Sequence, residues 1–203
     1  MYVRDARNRE EVWLLDHIEA MGLDDTAFRS RDYVIAIDET SNEKAGFGRI
    51  RIHKSDTDQD VCELTSIGVL EGWRNQGVGA HIIERLLEYA NDQDFDRVYS
   101  LVPIPDYFAQ FGFEPVDPTA IPAALQTRLT EKRDISADPV VPMTIEIDAF
   151  TMPDRLRERF KDARAIQEKE PPTGTEPHES AAEEFGIDPD EATYKYDPAG
   201  RRR

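Results

Sequence analysis

The chain has 203 residues, enough for one domain of ordinary size with an extension, and it carries 42 acidic and 25 basic residues for a net charge of -17. This charge argues against free nucleic acid as a partner, because binding to phosphates needs surplus Lys and Arg. The single cysteine, Cys62, excludes an intrachain disulfide. No stretch has the length and apolar composition of a membrane span or a signal peptide, so we expect no membrane partner and a cytoplasmic location.

The negative charge is concentrated in the first three quarters of the chain. Residues 1–150 hold 29 acidic and 15 basic residues, a net charge of -14. A folded surface this negative repels itself at low ionic strength, and concentrated salt would screen the repulsion. We therefore expect a salt-adapted, haloarchaeal-like protein. The alternative is an acidic protein from an ordinary cell.

The hydrophobic pattern predicts strands and helices in the order of a mixed α/β sheet. Gly46–His53 alternates in the way of a half-buried strand. Val78–Ala90 places Val78, Ile82, Leu86 and Ala90 four residues apart, as on one face of a helix. Several strands, then one strand–helix–strand crossover, then further strands predict a mixed sheet. The predicted strands are Tyr2–Ala6, Tyr33–Ile37, Gly46–His53, Val61–Val69, Arg97–Val102, Phe113–Val116 and Val140–Ile147, and the helices are Asn8–Met21, Val78–Ala90 and Asp106–Phe111.

Residues 151–203 differ in composition and are predicted to form a C-terminal tail beyond a domain of residues 1–150. Thr151 and Asp154 resemble a capping box, so a helix is expected over about 152–166. A flexible linker should follow. The last segment contains Phe185 and Tyr194 and either docks or stays mobile, and the mobile form is favoured because chain termini are usually loose. The sequence does not identify a partner for this tail.

The corner before the helix that starts at Val78 has the features of a phosphate site. Free N–H groups and the helix dipole attract anions at a helix N-terminus, and glycine lets the backbone approach them closely. Gly77 and Gly79 would remove the blocking side chains, and Arg74 would add a cation. A tight turn is the alternative reading. A Walker loop is excluded because no Gly-Lys-Ser/Thr follows Gly77, and a dinucleotide fingerprint is excluded because Ile82 occupies the position of its third glycine.

Arg74-x-x-Gly77-x-Gly79 after a strand resembles the acetyl-CoA signature of the GNAT acyltransferase superfamily. Three longer segments are similar to successive elements of that family: "YVRDARNREEVWLLDHIEAMGL", "CELTSIGVLEGWRNQGVGAHIIERLLEYA" and "DYFAQFGFEPV". The resemblance covers residues 1–150. It implies a GNAT-like α/β fold, in which a mostly antiparallel sheet contains one parallel β-α-β crossover that binds the cofactor.

The resemblance also implies acetyl-CoA as cosubstrate and acetyl transfer to an amine by direct attack. The pantetheine arm would run beside the strand that ends at Val69, and the pyrophosphate would lie at the corner. The residues implied in cofactor binding are Ile67, Val69, Arg74, Asn75, Gln76, Gly77, Val78, Gly79 and Ala80. No clustered Cys and His spacing is present, so no metal is expected.

Two catalytic residues are implied by position. Glu63 is the candidate base that removes a proton from the amine, and a solvated strand glutamate is the alternative. Many family members carry a Tyr four residues before the glycine of the Gly112-Phe113 pair. Phe108 occupies that position here, so its neighbour Tyr107 is the candidate acid for the departing thiolate. The alternative is that the thiolate takes its proton from solvent or from the amine.

The acceptor is predicted to be a small amine or an amino acid. Arg29 and Arg31 fall in the loop where the family binds its acceptor and could clamp a carboxylate, although exposed arginines are common on protein surfaces. The alternatives are an acetyltransferase for protein N-termini or lysines and a non-catalytic acetyl-CoA-binding module. The sequence is compatible with a homodimer and does not determine the oligomeric state.

Overall fold

A computed structural model describes residues 1–54 and 59–166 of the chain. The predicted linker and the segment with Phe185 and Tyr194 lie outside the described residues. No helix in the described ranges has the length and apolar composition needed to cross a membrane. The strands are β1 Tyr2–Asp5, β2 Tyr33–Ile37, β3 Lys44–His53, β4 Val61–Val69, β5 Arg97–Val102, β6 Glu114–Pro115 and β7 Val141–Glu146, and the helices are α1 Glu11–Ala20, α2 Val78–Asn91, α3 Pro105–Ala109, α4 Ala123–Ile135 and α5 Asp154–Lys161.

The described strands form one seven-stranded sheet in the order β1-β2-β3-β4-β5-β7-β6. Within it β4 and β5 are parallel, and the other neighbouring strands are antiparallel. The parallel pair is connected through α2, because parallel neighbouring strands need a crossover connection. The predicted fold, a mostly antiparallel mixed sheet with one parallel β-α-β unit, is confirmed.

Helices cover both faces of the sheet, which explains why the central strands are buried on both sides. On one face α2 packs so closely on β3 that a Cβ atom at Gly48 would lie 2.6 Å from Ile82 and 2.9 Å from Leu86. On the other face α1 buries Leu14 and Ile18 against the first strands. The helix α4 buries Leu125 and Leu129 against β5 on this second face.

Three features differ from the sequence prediction. The helix α4 was not predicted, and the short strand predicted over Phe113–Val116 is limited to Glu114–Pro115. The helix expected over 152–166 runs from Asp154 to Lys161. Leu156 and Phe160 of this helix, and Ala163 just after it, are buried in the same core as α2. The compact unit that contains the sheet includes α5.

Candidate active site

The central feature of the site is a fork between β4 and β5. The paired residues run from Cys62 opposite Val98 to Leu64 opposite Ser100, whereas β4 continues to Val69 and β5 to Val102. A β-bulge shifts the register of β4 against β3 next to this point, and Ser66 has a positive φ of 49°. Bulges bend a strand and increase its twist. The strands therefore separate beyond Leu64.

A groove of about 700 Å³ leads from the diverging part of β4 to the start of α2. It brings together most of the residues predicted to bind the cofactor. Those that line it are Ile67, Val69, Arg74, Asn75, Gly77, Val78 and Gly79, together with Tyr107. Gly77 is the N-cap of α2 and supplies no side-chain hydrogen bond to the helix. The first N–H groups of the helix therefore have no side-chain cap, which suits an anion.

Both glycines of the corner lie close to other parts of the protein. Gly77 has a φ of 79°, and a Cβ atom there would lie 2.3 Å from the carbonyl oxygen of Leu156 in α5. A Cβ atom at Gly79 would lie 2.9 Å from the phenol oxygen of Tyr107. The sequence predicted that these glycines make room for phosphate. In the structure, the space that a Cβ atom would need at Gly77 is occupied by α5, and the space at Gly79 is occupied by Tyr107.

Gln76 and Ala80 are not among the described residues that line the groove. The side-chain amide of Gln76 donates to the carbonyl of Gly72 at 3.1 Å and to that of Arg164 at 2.9 Å, and its oxygen accepts from the N–H of Arg164. Ala80 is fully buried in the core. Gln76 therefore ties the corner to the segment that follows α5.

Sequence reasoning missed two arginines at the groove, Arg155 and Arg159 of α5. The guanidinium of Arg159 lies 3.5 Å from the carbonyl oxygen of Asn75. The signal that could have found them is the four-residue spacing of the two arginines on a helix whose Leu156 and Phe160 face the core.

Glu63 lies in the middle of β4 with 0% of its side chain exposed. His53 Nε2 lies 2.9 Å from one carboxylate oxygen, and Lys132 Nζ lies 3.1 Å from the other. Arg128 Nε lies 3.5 Å away. Burial opposes ionisation, but the hydrogen bond with His53 and the charges of Lys132 and Arg128 outweigh it and lower the pKa of Glu63 to about 2. A carboxylate with so low a pKa is a weak proton acceptor at neutral pH.

Glu63 belongs to a charged cluster on the sheet face covered by α1 and α4, which we call the polar cluster: Asp24, Arg51, Glu63, Arg128 and Lys132. Asp24 accepts from Arg128 at 2.6 Å and from Arg51 at 3.4 Å. Lys132 contacts both strands at the fork, donating to Thr65 Oγ1 at 3.2 Å and to the carbonyl of Leu101 at 3.3 Å. Sequence reasoning assigned a role only to Glu63, because the other members are brought together by the fold.

Tyr107 and Phe108 have different environments at the groove. Phe108 is buried and packs edge-on against Phe113, with ring centroids 5.2 Å apart. Tyr107 reaches the start of α2, beside Gly79. Burial raises the pKa of the Tyr107 phenol to about 12, although the charge of Arg155 opposes this shift. The phenol is therefore protonated at neutral pH and can donate a hydrogen bond.

Arg29 and Arg31 are exposed and lie apart from the groove and the polar cluster. Arg29 Nε donates to Asp32 at 3.0 Å. The carbonyl of Arg31 accepts from the Tyr89 hydroxyl at 3.2 Å. Neither guanidinium contacts a member of the polar cluster in the described part of the chain.

Comparisons with known proteins agree with the fold. The chain is 29% identical over 76 residues to the amino-acid acetyltransferase of Mycobacterium tuberculosis, which is 37% of this chain and 44% of that protein. It therefore matches less than half the length of this relative.

Similar folds occur in solved structures. One is that of Rv2747 from Mycobacterium tuberculosis in complex with CoA, with a TM-score of 0.57, 19% identity, and coverage of 72% of this chain and 99% of that one. The N-acetylglutamate synthase of Neisseria gonorrhoeae, complexed with coenzyme A and N-acetyl-glutamate, has a TM-score of 0.54 and 16% identity over 71% of this chain and 34% of that one. Arabidopsis thaliana Naa50 with a bisubstrate analogue has a TM-score of 0.51 and 16% identity over 70% and 96%.

A sequence model of one family matches residues 2–113, which is more than half of the chain and includes β4, the corner and α2. These are the elements that form the fork and the groove. The chain belongs to the acetyltransferase (GNAT) family.

Proposed function

We propose that this protein transfers an acetyl group from acetyl-CoA to the primary amine of a small molecule that carries a carboxylate, such as an amino acid. The observation that carries the proposal is the fork between β4 and β5 beside a groove that ends at an uncapped helix N-terminus. Family membership and the CoA-bound structures of similar fold support the choice of donor.

The groove offers partners for two parts of acetyl-CoA, the pantetheine arm and the diphosphate. The diverging part of β4, with Ile67 and Val69, offers main-chain groups for the amides of the pantetheine arm. The start of α2, from Asn75 to Gly79, offers N–H groups for the diphosphate, with Arg74 beside them. In the reaction the amine nitrogen attacks the thioester carbonyl, a C–N bond forms and the C–S bond breaks. The products are the N-acetylated amine, the CoA thiol and one proton.

The polar cluster supports an acceptor with a carboxylate. The cations Arg51, Arg128 and Lys132 meet the anions Asp24 and Glu63, and the exposed Glu131 also contacts Arg128. Arg51 contacts Asp24 at 3.4 Å, and burial together with the charge of Arg128 lowers the pKa of Arg51. An incoming carboxylate would add a negative partner for Arg51, and guanidinium groups bind carboxylates well. We therefore propose Arg51 and Arg128, in preference to Arg29 and Arg31, as the carboxylate clamp.

Two proton transfers accompany the reaction. The amine must lose a proton before it attacks, and Glu63 stays the predicted base, although its carboxylate is buried and held by His53, Arg128 and Lys132. The thiolate gains a proton or a hydrogen bond as it leaves. Tyr107, a protonated phenol that lines the groove, is the proposed donor.

Thiol release from acetyl-CoA across a panel of amines tests the proposal. We expect release with free amino acids, and a value of kcat/KM at least about tenfold lower for the methyl ester of the best acceptor, since the ester removes the charge that a guanidinium binds. Release with peptides and not with amino acids would contradict the proposed acceptor. Tight CoA binding without release for any amine would contradict the enzymatic function.

A matched pair of variants identifies the clamp. Arg51→Gln should raise the KM for the amino acid by about tenfold with little change in the KM for acetyl-CoA, because a charged hydrogen bond to the acceptor is lost. Arg29→Gln removes the same charge from the position that the sequence suggested. A larger effect of Arg29→Gln would assign the clamp to that loop.

A further inference from the structure

We propose that α5 forms one wall of the cofactor site, in which Arg155 and Arg159 bind the diphosphate of the cofactor. The proposal rests on the proposed function, since it requires that the chain uses CoA. It assigns a binding role to a helix that follows the last strand of the sheet and lies beyond the matched family region.

The charge of the groove is the first observation. Among the described residues, 19 line the groove and none of them is Asp or Glu, although about one residue in five of the whole chain is acidic. Three lining residues are arginines: Arg74, Arg155 and Arg159. A protein of net charge -17 repels a polyanionic ligand over most of its surface. A local surplus of three cations attracts such a ligand to this groove.

The orientation of the two arginines is fixed by the helix. Residues four apart lie on the same face of a helix, so Arg155 and Arg159 project together toward the groove. The buried side chains Leu156 and Phe160 determine which way the helix is turned. Arg157, on another face, donates instead to Glu84 at 2.8 Å.

The attachment of α5 to the corner is close and specific. The ring of Phe160 packs against that of His81 in the first turn of α2, with centroids 3.9 Å apart and the ring planes tilted by 32°. Gly77 approaches the Leu156 carbonyl, and Gln76 exchanges hydrogen bonds with the backbone of Arg164. Arg159 thereby lies beside Asn75, next to the N–H groups of α2. Arg159 and the helix N–H groups lie at the same corner, where one anionic group can accept from both. Arg155, which donates to the side chain of Gln110, lines the same groove.

Calorimetric titration of CoA and of 3'-dephospho-CoA into the full-length protein tests the assignment. We expect Arg155→Gln and Arg159→Gln each to weaken CoA binding about threefold, and the double variant about tenfold, as exposed charge pairs do. Because the proposed ligand is the diphosphate, the loss should be the same with dephospho-CoA. Arg157→Gln is the matched control, with the same charge change on the same helix, and should bind CoA within about twofold of the unaltered protein.

The outcomes separate this inference from the proposed function. Unaltered affinity in the double variant, with acetyl-CoA turnover intact, would overturn the role of α5 alone. A loss that disappears with dephospho-CoA would overturn the diphosphate assignment. A failure of the unaltered protein to bind CoA would overturn both proposals. Turnover of S-acetyl-pantetheine, which lacks the diphosphate, should be equal in the double variant and the unaltered protein; a parallel loss there would show that the substitutions act by disturbing the fold.

Discussion

At the residue scale, Glu63 shows how a charge is accommodated in the middle of a sheet. A fully buried carboxylate is costly unless it is paired and hydrogen-bonded. Here His53, Arg128 and Lys132 surround it, and two of these partners come from α4. Glu63 therefore joins α4 to β4, whatever part it takes in catalysis.

Replacing Glu63 by Gln should lower the free energy of unfolding by about 3 kcal/mol at pH 7, since the carboxylate titrates near 2 in the folded protein and at its ordinary value of 4.5 in the unfolded chain. A lowered pKa stabilises the fold fully above 4.5 and loses its effect as the pH falls toward 2. The difference between the two proteins should shrink over that window. Urea unfolding at pH 7, 4 and 2.5 measures this difference in the free energy of unfolding. In the Glu63→Gln variant, turnover should fall more than CoA affinity.

Glu131→Gln is the control for this substitution. Glu131 also contacts Arg128, at 3.4 Å, but 58% of its side chain is exposed. Exposed pairs contribute little, so the change in unfolding free energy should stay within about 0.5 kcal/mol. An equal effect of the two substitutions would mean that burial of Glu63 does not determine its contribution to the free energy of unfolding.

At the element scale, the junction of α2 and α5 depends on Gly77. Gly77→Ala should destabilise the protein by about 2 kcal/mol or more, because it combines a positive φ with a clash against the Leu156 carbonyl. Gly22→Ala is the matched control, since Gly22 also has a positive φ but no atom within 4 Å of an added Cβ. Thermal unfolding of both variants gives the comparison. Equal losses of stability in the two variants would show that the clash with α5 adds nothing to the destabilisation caused by Gly77→Ala.

The elements with regular hydrophobic spacing were predictable from sequence, and α4 was not. The strands β2 and β4 and the parallel crossover through α2 agree with their patterns. In α4 the buried face includes Arg128 beside Leu125 and Leu129, so its apolar stripe is narrow. Arg128 is buried because Glu63, 65 residues away in sequence, lies beneath it. Such pairing depends on the tertiary fold, and the polar cluster could not be read from local spacing.

At the scale of the whole molecule, the net charge of -17 predicts a stability that depends on salt. Self-repulsion of a negative surface weakens as salt shortens the screening length from about 10 Å at 0.1 M to about 3 Å at 1 M. We expect the midpoint of thermal unfolding to rise between low and molar potassium chloride. Circular dichroism at both concentrations measures the midpoints, and equal values would contradict salt adaptation.

The burial of α5 in the main core has a practical consequence for anyone who shortens or tags this chain. A cut after residue 150, where the composition changes, would strip Leu156, Phe160 and Ala163 from the core and leave the first turn of α2 facing water. Fusion partners and affinity tags therefore belong downstream of residue 166, and truncated versions should retain everything up to that point.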